Sequence, residues 1–133
     1  MKPIISALMF TLVSMVSSAQ KIATTFQNAT KNEGIRIEQL DSTYQSALHA
    51  DSTKAVFTSQ ETEFYDGYVS LLQDLGKHLS ANNFKWDKTT RCFNRIYFNK
   101  DGEINYFLFN FYPGQIEPEK EKEFEKHLST FVE

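Results

Sequence analysis

Three histidines, one cysteine and scattered carboxylates are the residues of this 133-residue sequence with the means for chemistry, and their spacing decides how far they reach. A hydrolytic zinc site needs histidines paired on one helical turn, or clustered with Cys and carboxylates. His49, His78 and His127 are isolated from one another, no His-Glu-x-x-His occurs, and His49-Ala50-Asp51 would need ligands from elsewhere in the chain. Nucleophilic catalysis needs a positioned Ser or Cys beside a histidine and an orienting acid. No Gly-x-Ser-x-Gly elbow is present, and Cys92 sits between Arg91 and Phe93 in a strand-like run, where it reads as a small buried apolar residue. Asn99, Asp101 and Gly102 match positions three, five and six of a calcium loop. That register puts Tyr97 and Leu108 at its first and twelfth positions, and neither coordinates a hard cation. Glu63 and Asp66 have the residue types of a glycosidase pair, but their helical setting makes them solvent-facing. The five glycines are scattered singly, so no phosphate-cradling loop is present. The expectation is no catalytic residue, no metal and no cofactor.

What remains is a surface. Arg95, Tyr97, Lys100 and Tyr106 fall within one hairpin and combine cationic with aromatic groups, which makes them the candidate contact surface for a partner. The hairpin is read from two alternating runs. In 91–98, Cys92, Ile96 and Phe98 take one side, while Phe93 and Tyr97 share the other with Arg95; in 103–112, Ile104, Tyr106, Leu108 and Tyr112 oppose Phe107, Phe109 and Phe111. Asn99-Lys100-Asp101-Gly102 joins them, with Gly102 supplying the positive φ that closes a tight loop. Both faces of the second strand are largely apolar, so the hairpin wants cover on both sides.

Helices can supply that cover. Phe64, Tyr68, Leu72, Leu75 and Leu79 recur at helical spacing behind Thr58 and Glu61, which stand in the capping-box arrangement. Gly67 and Gly76 weaken this helix by about 1 kcal/mol each relative to alanine, which suggests close approach of another element there. Asn82-Asn83 ends it. Pro118 starts a last helix, with Glu117, Glu119, Glu121 and Glu123 at its positive end and Phe124, Leu128, Phe131 and Val132 along one stripe. Two helices then cover one face of the hairpin, and an amphipathic helix over 37–48, carrying Ile37, Leu40, Tyr44, Ala47 and Leu48, covers the other. Where this cover falls short, an aromatic surface is left exposed, of the kind that marks binding sites. A two-stranded hairpin is seldom stable alone. Residues 54–57 are the expected third strand; without them an open edge would accept a strand from a second chain.

The N-terminal end has another purpose. Met1-Lys2-Pro3, an apolar run over 4–16 and Ser17-Ser18-Ala19 form the basic, apolar and small-residue regions of a cleavable signal peptide. The run is too short to span a bilayer, which takes roughly 20 apolar residues. The expected product is exported to the periplasm or the exterior, begins at Gln20 and has no membrane insertion after cleavage. No cysteine follows the cleavage point to carry a lipid. With Lys2 lost from the 14 Lys and Arg, the 17 Asp and Glu stand in clear excess, so a nucleic-acid partner is not expected, since basic patches supply most of that affinity. The lone cysteine rules out an internal disulfide and leaves dimerisation through Cys92 as a minor alternative. The expected organisation is a signal peptide over 1–19, a flexible arm over 20–33 and one domain over 34–133. Within the arm, Asn28-Ala29-Thr30 matches a glycosylation acceptor.

The order of helix, strand, Asn-Lys-Asp-Gly turn, strand and helix over about the last 70 residues resembles the C-terminal domain of TonB-like energy transducers. In that family an extended segment enters a helix through a Phe-x-Gly-Gly-like stretch. Here the similar stretch is Phe64-Tyr65-Asp66-Gly67, with Tyr68 in place of the second glycine. The resemblance implies a fold that binds partners by strand pairing. The fold expected from the hairpin and its helices is α+β, a small antiparallel sheet built on a central hairpin and packed against two or three helices. The function expected is a non-enzymatic, exported protein-interaction or envelope-associated binding domain. The alternative is a small secreted enzyme or ligand carrier with an aromatic-lined pocket between sheet and helix.

Overall fold

Asn99 organises the turn around which the fold is built. Its N–H donates to Glu103 C=O (2.8 Å), its carbonyl accepts from Gly102 N–H (3.0 Å), and its Oδ1 accepts from the N–H groups of Asp101 and Glu103 (2.9 and 3.0 Å). Gly102 takes the expected positive φ of 83°. In the computed structural model, which describes residues 21–47, 55–57 and 59–133, this turn joins two antiparallel strands. The seven elements in chain order are β1 (Ile22–Thr25), α1 (Phe26–Lys31), α2 (Ile37–Thr43), α3 (Glu61–Ala81), β2 (Cys92–Phe98), β3 (Ile104–Phe111) and α4 (Pro118–Phe131). The proposed signal peptide lies outside the described residues.

The fold is α+β, with strand order β1-β3-β2. β3 is the middle strand, paired antiparallel with β2 and parallel with β1, from Ile22 opposite Tyr106 to Thr25 opposite Phe109. The sheet is therefore mixed rather than antiparallel. Its third strand is not the expected 54–57 segment, in which Ala55 forms a single isolated bridge with Ser46. It comes instead from the stretch expected to be a flexible arm. Residues 22–31 form β1 and α1, with Ala23, Thr24 and Ala29 buried. Parallel partners cannot be joined by a tight turn, and here α1, α2 and α3 all intervene between β1 and the hairpin.

Alternation along β3 divides the interior into two layers. Phe107, Phe109 and Phe111 face α3 and α4, packing with Leu75, Leu79, Phe84, Phe124, Leu128 and Val132. Leu108, with Tyr97 beside it, faces α1 and α2 and packs with Ala29 and Leu40. Both faces of the hairpin are thus covered, and the aromatic rings meet edge to face, as for Phe109 with Phe124 (centroids 5.0 Å apart).

Several helix ends differ from expectation. α3 starts at Glu61 behind Gln60, which makes no side-chain cap bond; Thr58, the expected cap, is outside the described residues. The helix ends as expected, with Asn82 at the C-cap and Asn83 in the left-handed region at φ 60°. Gly67 and Gly76 do not mark a close approach, since a Cβ at either would meet no atom within 4 Å. α2 is shorter than the expected 37–48 helix, because Tyr44 turns to extended backbone at its C-cap.

Candidate functional site

Strand alternation puts Arg95 and Tyr97 on the α2 side of β2, and α2 meets them with a carboxylate. Asp41 Oδ2 accepts from Arg95 Nη1 (2.9 Å), and Asp41 Oδ1 accepts from the Tyr97 hydroxyl (2.7 Å). The ion pair is half-exposed on both sides, where such pairs contribute at most about 1 kcal/mol. Tyr97 is different, being only 6% exposed. Burial first, and then the bond to Asp41, pushes its hydroxyl up to about 12. Tyr44 and Tyr106 stand edge-on to Tyr97 and to each other, with centroids 5.2–6.3 Å apart. Asn105 Nδ2 donates to the Tyr44 hydroxyl (2.8 Å), while its Oδ1 is buried without a hydrogen-bond partner.

The expected contact surface therefore divides. Arg95, Tyr97 and Tyr106 do come together, but α2 takes Tyr97 into the core rather than leaving its ring on the surface. Arg95 stays half-exposed, and Lys100 stands exposed in the turn, outside this hydrogen-bond cluster. Asp41 and Tyr44 are the residues that sequence reasoning missed. The signal was present: Asp41 follows Ile37 by four and precedes Tyr44 by three, which places a carboxylate in the middle of an apolar helical stripe.

The outer edge of β2 carries backbone groups that no described strand pairs. Tyr112 donates its N–H to Arg91 C=O (3.3 Å). Bonded pairs alternate along an antiparallel ladder, so Phe93, Arg95 and Tyr97 bond to Asn110, Leu108 and Tyr106. Cys92, Asn94 and Ile96 consequently turn their N–H and C=O groups away from β3, and no other described strand pairs with them. Phe93 and Phe98 flank this edge, 49% and 40% exposed.

Among the described residues the other chemistry-bearing side chains are tied into the fold or face solvent, and His49 lies outside the described residues. Burial pushes the Cys92 thiol up to about 11, against a smaller lowering by the Asn110 backbone, so little thiolate forms at neutral pH. His78 Nε2 lies 3.0 Å from His127 C=O and 2.9 Å from Thr130 Oγ1. Glu63 and Asp66 are exposed on α3. Asn28 donates from Nδ2 to Thr24 Oγ1 (2.8 Å), beside fully buried Ala29, so glycan attachment would break an internal bond. Between the sheet and α3 and α4, where the alternative reading places a ligand, Phe107, Phe109, Leu128 and Phe124 fill the space. A depression of about 140 Å³ lies elsewhere, against Trp86, Lys88, Gln115 and Lys120; ligand pockets usually enclose about 300–1,000 Å³. Among the described residues no group of three His, Cys, Asp or Glu is placed to hold a metal, and no helix is long and apolar enough to cross a membrane.

The α+β class and the two-sided cover of the hairpin define the kind of domain this is. Compared with protein-family models, with curated proteins and with solved structures, the chain matches none.

Proposed function

We propose that the chain is an exported, non-enzymatic interaction domain that accepts a partner's strand along the outer edge of β2. One observation carries this reading: the outward ladder of Cys92, Asn94 and Ile96, bordered by exposed Phe93 and Phe98. Sheets ordinarily blunt such an edge with lysine, proline or a covering element. β2 contains neither residue type, and its one charge, Arg95, is already tied to Asp41. Backbone bonds would supply affinity and the flanking phenylalanines selectivity, as in other strand additions. The resemblance to TonB-like domains implies the same mode, and the leader-like residues 1–19 support an envelope or extracellular setting.

Asn94→Pro tests the edge. Proline removes the central outward N–H without touching the β2–β3 ladder, and edge strands tolerate it there. Tagged wild-type chain, purified from an envelope extract of its own host, should retain a bound chain that Asn94→Pro loses while its melting temperature stays within a few degrees. Equal retention by a folded Asn94→Pro variant would exclude the edge. N-terminal sequencing of the exported protein should begin at Gln20.

A further inference from the structure

The chemistry of β2 specifies the strand it accepts. We infer that two copies of this chain pair β2 with β2, antiparallel about a two-fold axis at Asn94, joining two three-stranded sheets into one of six strands. The inference rests on the edge reading above and names its partner.

Register is the first argument. Within the regular part of the ladder the outward groups belong to Cys92, Asn94 and Ile96, a set centred on Asn94, while Phe98 turns outward beyond the irregularity. Two-fold pairing at that centre sets Asn94 against the partner's Asn94 and Cys92 against the partner's Ile96, which engages the outward groups of all three residues on both strands. Moving the centre to Ile96 pushes the pairing past Tyr97/Phe98, where the ladder is already irregular. Moving it to Cys92 runs off the start of the strand at Cys92. A centre at Arg95 also pairs all three within β2, but it sets Arg95 against the partner's Arg95, like charges directly opposite, and runs through the irregularity at Tyr97/Phe98, so the Asn94 centre is favoured.

Side-chain complementarity is the second. In this register Phe93 lies opposite the partner's Arg95, and the symmetry repeats the contact. A half-exposed aromatic ring thereby meets a half-exposed guanidinium, a favourable cation–π arrangement. Arg95 is the only charge on β2, and it never faces its own copy, so like charges do not oppose the pairing. On the opposite face Cys92 meets Ile96, two side chains already packed on the apolar core. Such an interface is self-complementary and closes at two subunits rather than growing into a fibre.

Cysteine geometry makes the proposal specific. With Cys92 opposite Ile96, the two Cys92 residues lie four positions apart along the strands, about 13 Å at strand rise, beyond the roughly 7 Å that a disulfide can bridge. The pairing is therefore non-covalent. By contrast, position 94 meets itself at a bonded antiparallel pair, about 5.5 Å between Cα atoms, within disulfide range.

The test uses light scattering on the chain beginning at Gln20, with and without reductant, together with Asn94→Pro and the double variant Cys92→Ser/Asn94→Cys. Expected are twice the chain mass for wild type regardless of reductant, a folded monomer for Asn94→Pro, and an oxidative cross-link between copies for the double variant. A wild-type monomer whose double variant does not cross-link overturns the pairing, as does a dimer that survives Asn94→Pro. Should wild type be monomeric yet retain a different protein that Asn94→Pro loses, self-pairing falls while the edge reading stands. Should Asn94→Pro change neither mass nor capture, both fall.

Discussion

Tyr97 shows how one side chain ties β2 to the rest of the molecule. Its ring fills the layer beneath α2, and its hydroxyl ends on Asp41 at 2.7 Å. Tyr97→Phe keeps the packing and deletes the donor, so it should destabilise the fold by about 1.5–3 kcal/mol at pH 7, the range for a bond to a charged acceptor. The same group sets an alkaline limit. Folding raises its pKa from 10 to about 12, so between those values the native state holds a proton that the unfolded chain has released. Stability from this source is complete below pH 10 and is lost as pH rises towards 12. Urea melts at pH 9 and pH 11 should show wild type losing more stability than Tyr97→Phe; parallel losses would mean that Tyr97 titrates as an exposed phenol.

At the scale of elements, the hairpin, α3 and α4 were legible because each writes its own period into the sequence: alternation with a Gly102 turn, then apolar stripes at three and four. Arg95, Tyr97 and Tyr106 could be placed together for the same reason. β1 was not legible. Ile22-Ala23-Thr24-Thr25 has one large apolar residue, and what makes it a strand is the unfilled side of β3, more than 80 positions away, which no local pattern displays. Asp41 was missed because a carboxylate within an apolar stripe reads as an interruption until its partners on β2 are known. Gly67 and Gly76 were misread from the opposite side, since their cost was clear but its cause was assumed to be contact. Only Leu75 and Leu79 of α3 are buried, and the preceding turns stand away from the sheet with Tyr65 and Val69 exposed. With open space at both glycines, Gly67→Ala and Gly76→Ala should each stabilise the protein by about 0.5–1 kcal/mol. A loss of stability in either, measured by thermal melting, would reveal a contact at that turn.

The whole molecule is closed by its two ends. β1 enters the sheet first in sequence, and α4 locks it last: Thr24 Oγ1 donates to Glu125 Oε1 at 2.8 Å, and Ser129 Oγ donates to Ala23 C=O at 3.3 Å. These bonds span 101 and 106 residues, so the N-terminal segment cannot contribute until the chain is nearly complete. Removing 20–33 would leave a two-stranded sheet, uncover the β3 edge and take Ala29 away from Leu108. Two-stranded sheets are marginal in water, and the layer beneath α2 would lose one of its walls. A chain beginning at Gly34 should therefore lack the near-ultraviolet signal of packed tyrosines and melt without a sharp transition. Thr24→Val offers a milder version, keeping the shape of the strand but stranding Glu125 and Asn28 without the hydroxyl, at a cost of about 1–2 kcal/mol. If the shortened chain melted as cooperatively as the longer one and at the same temperature, the segment would be an appendage to a hairpin domain rather than the third strand of its sheet.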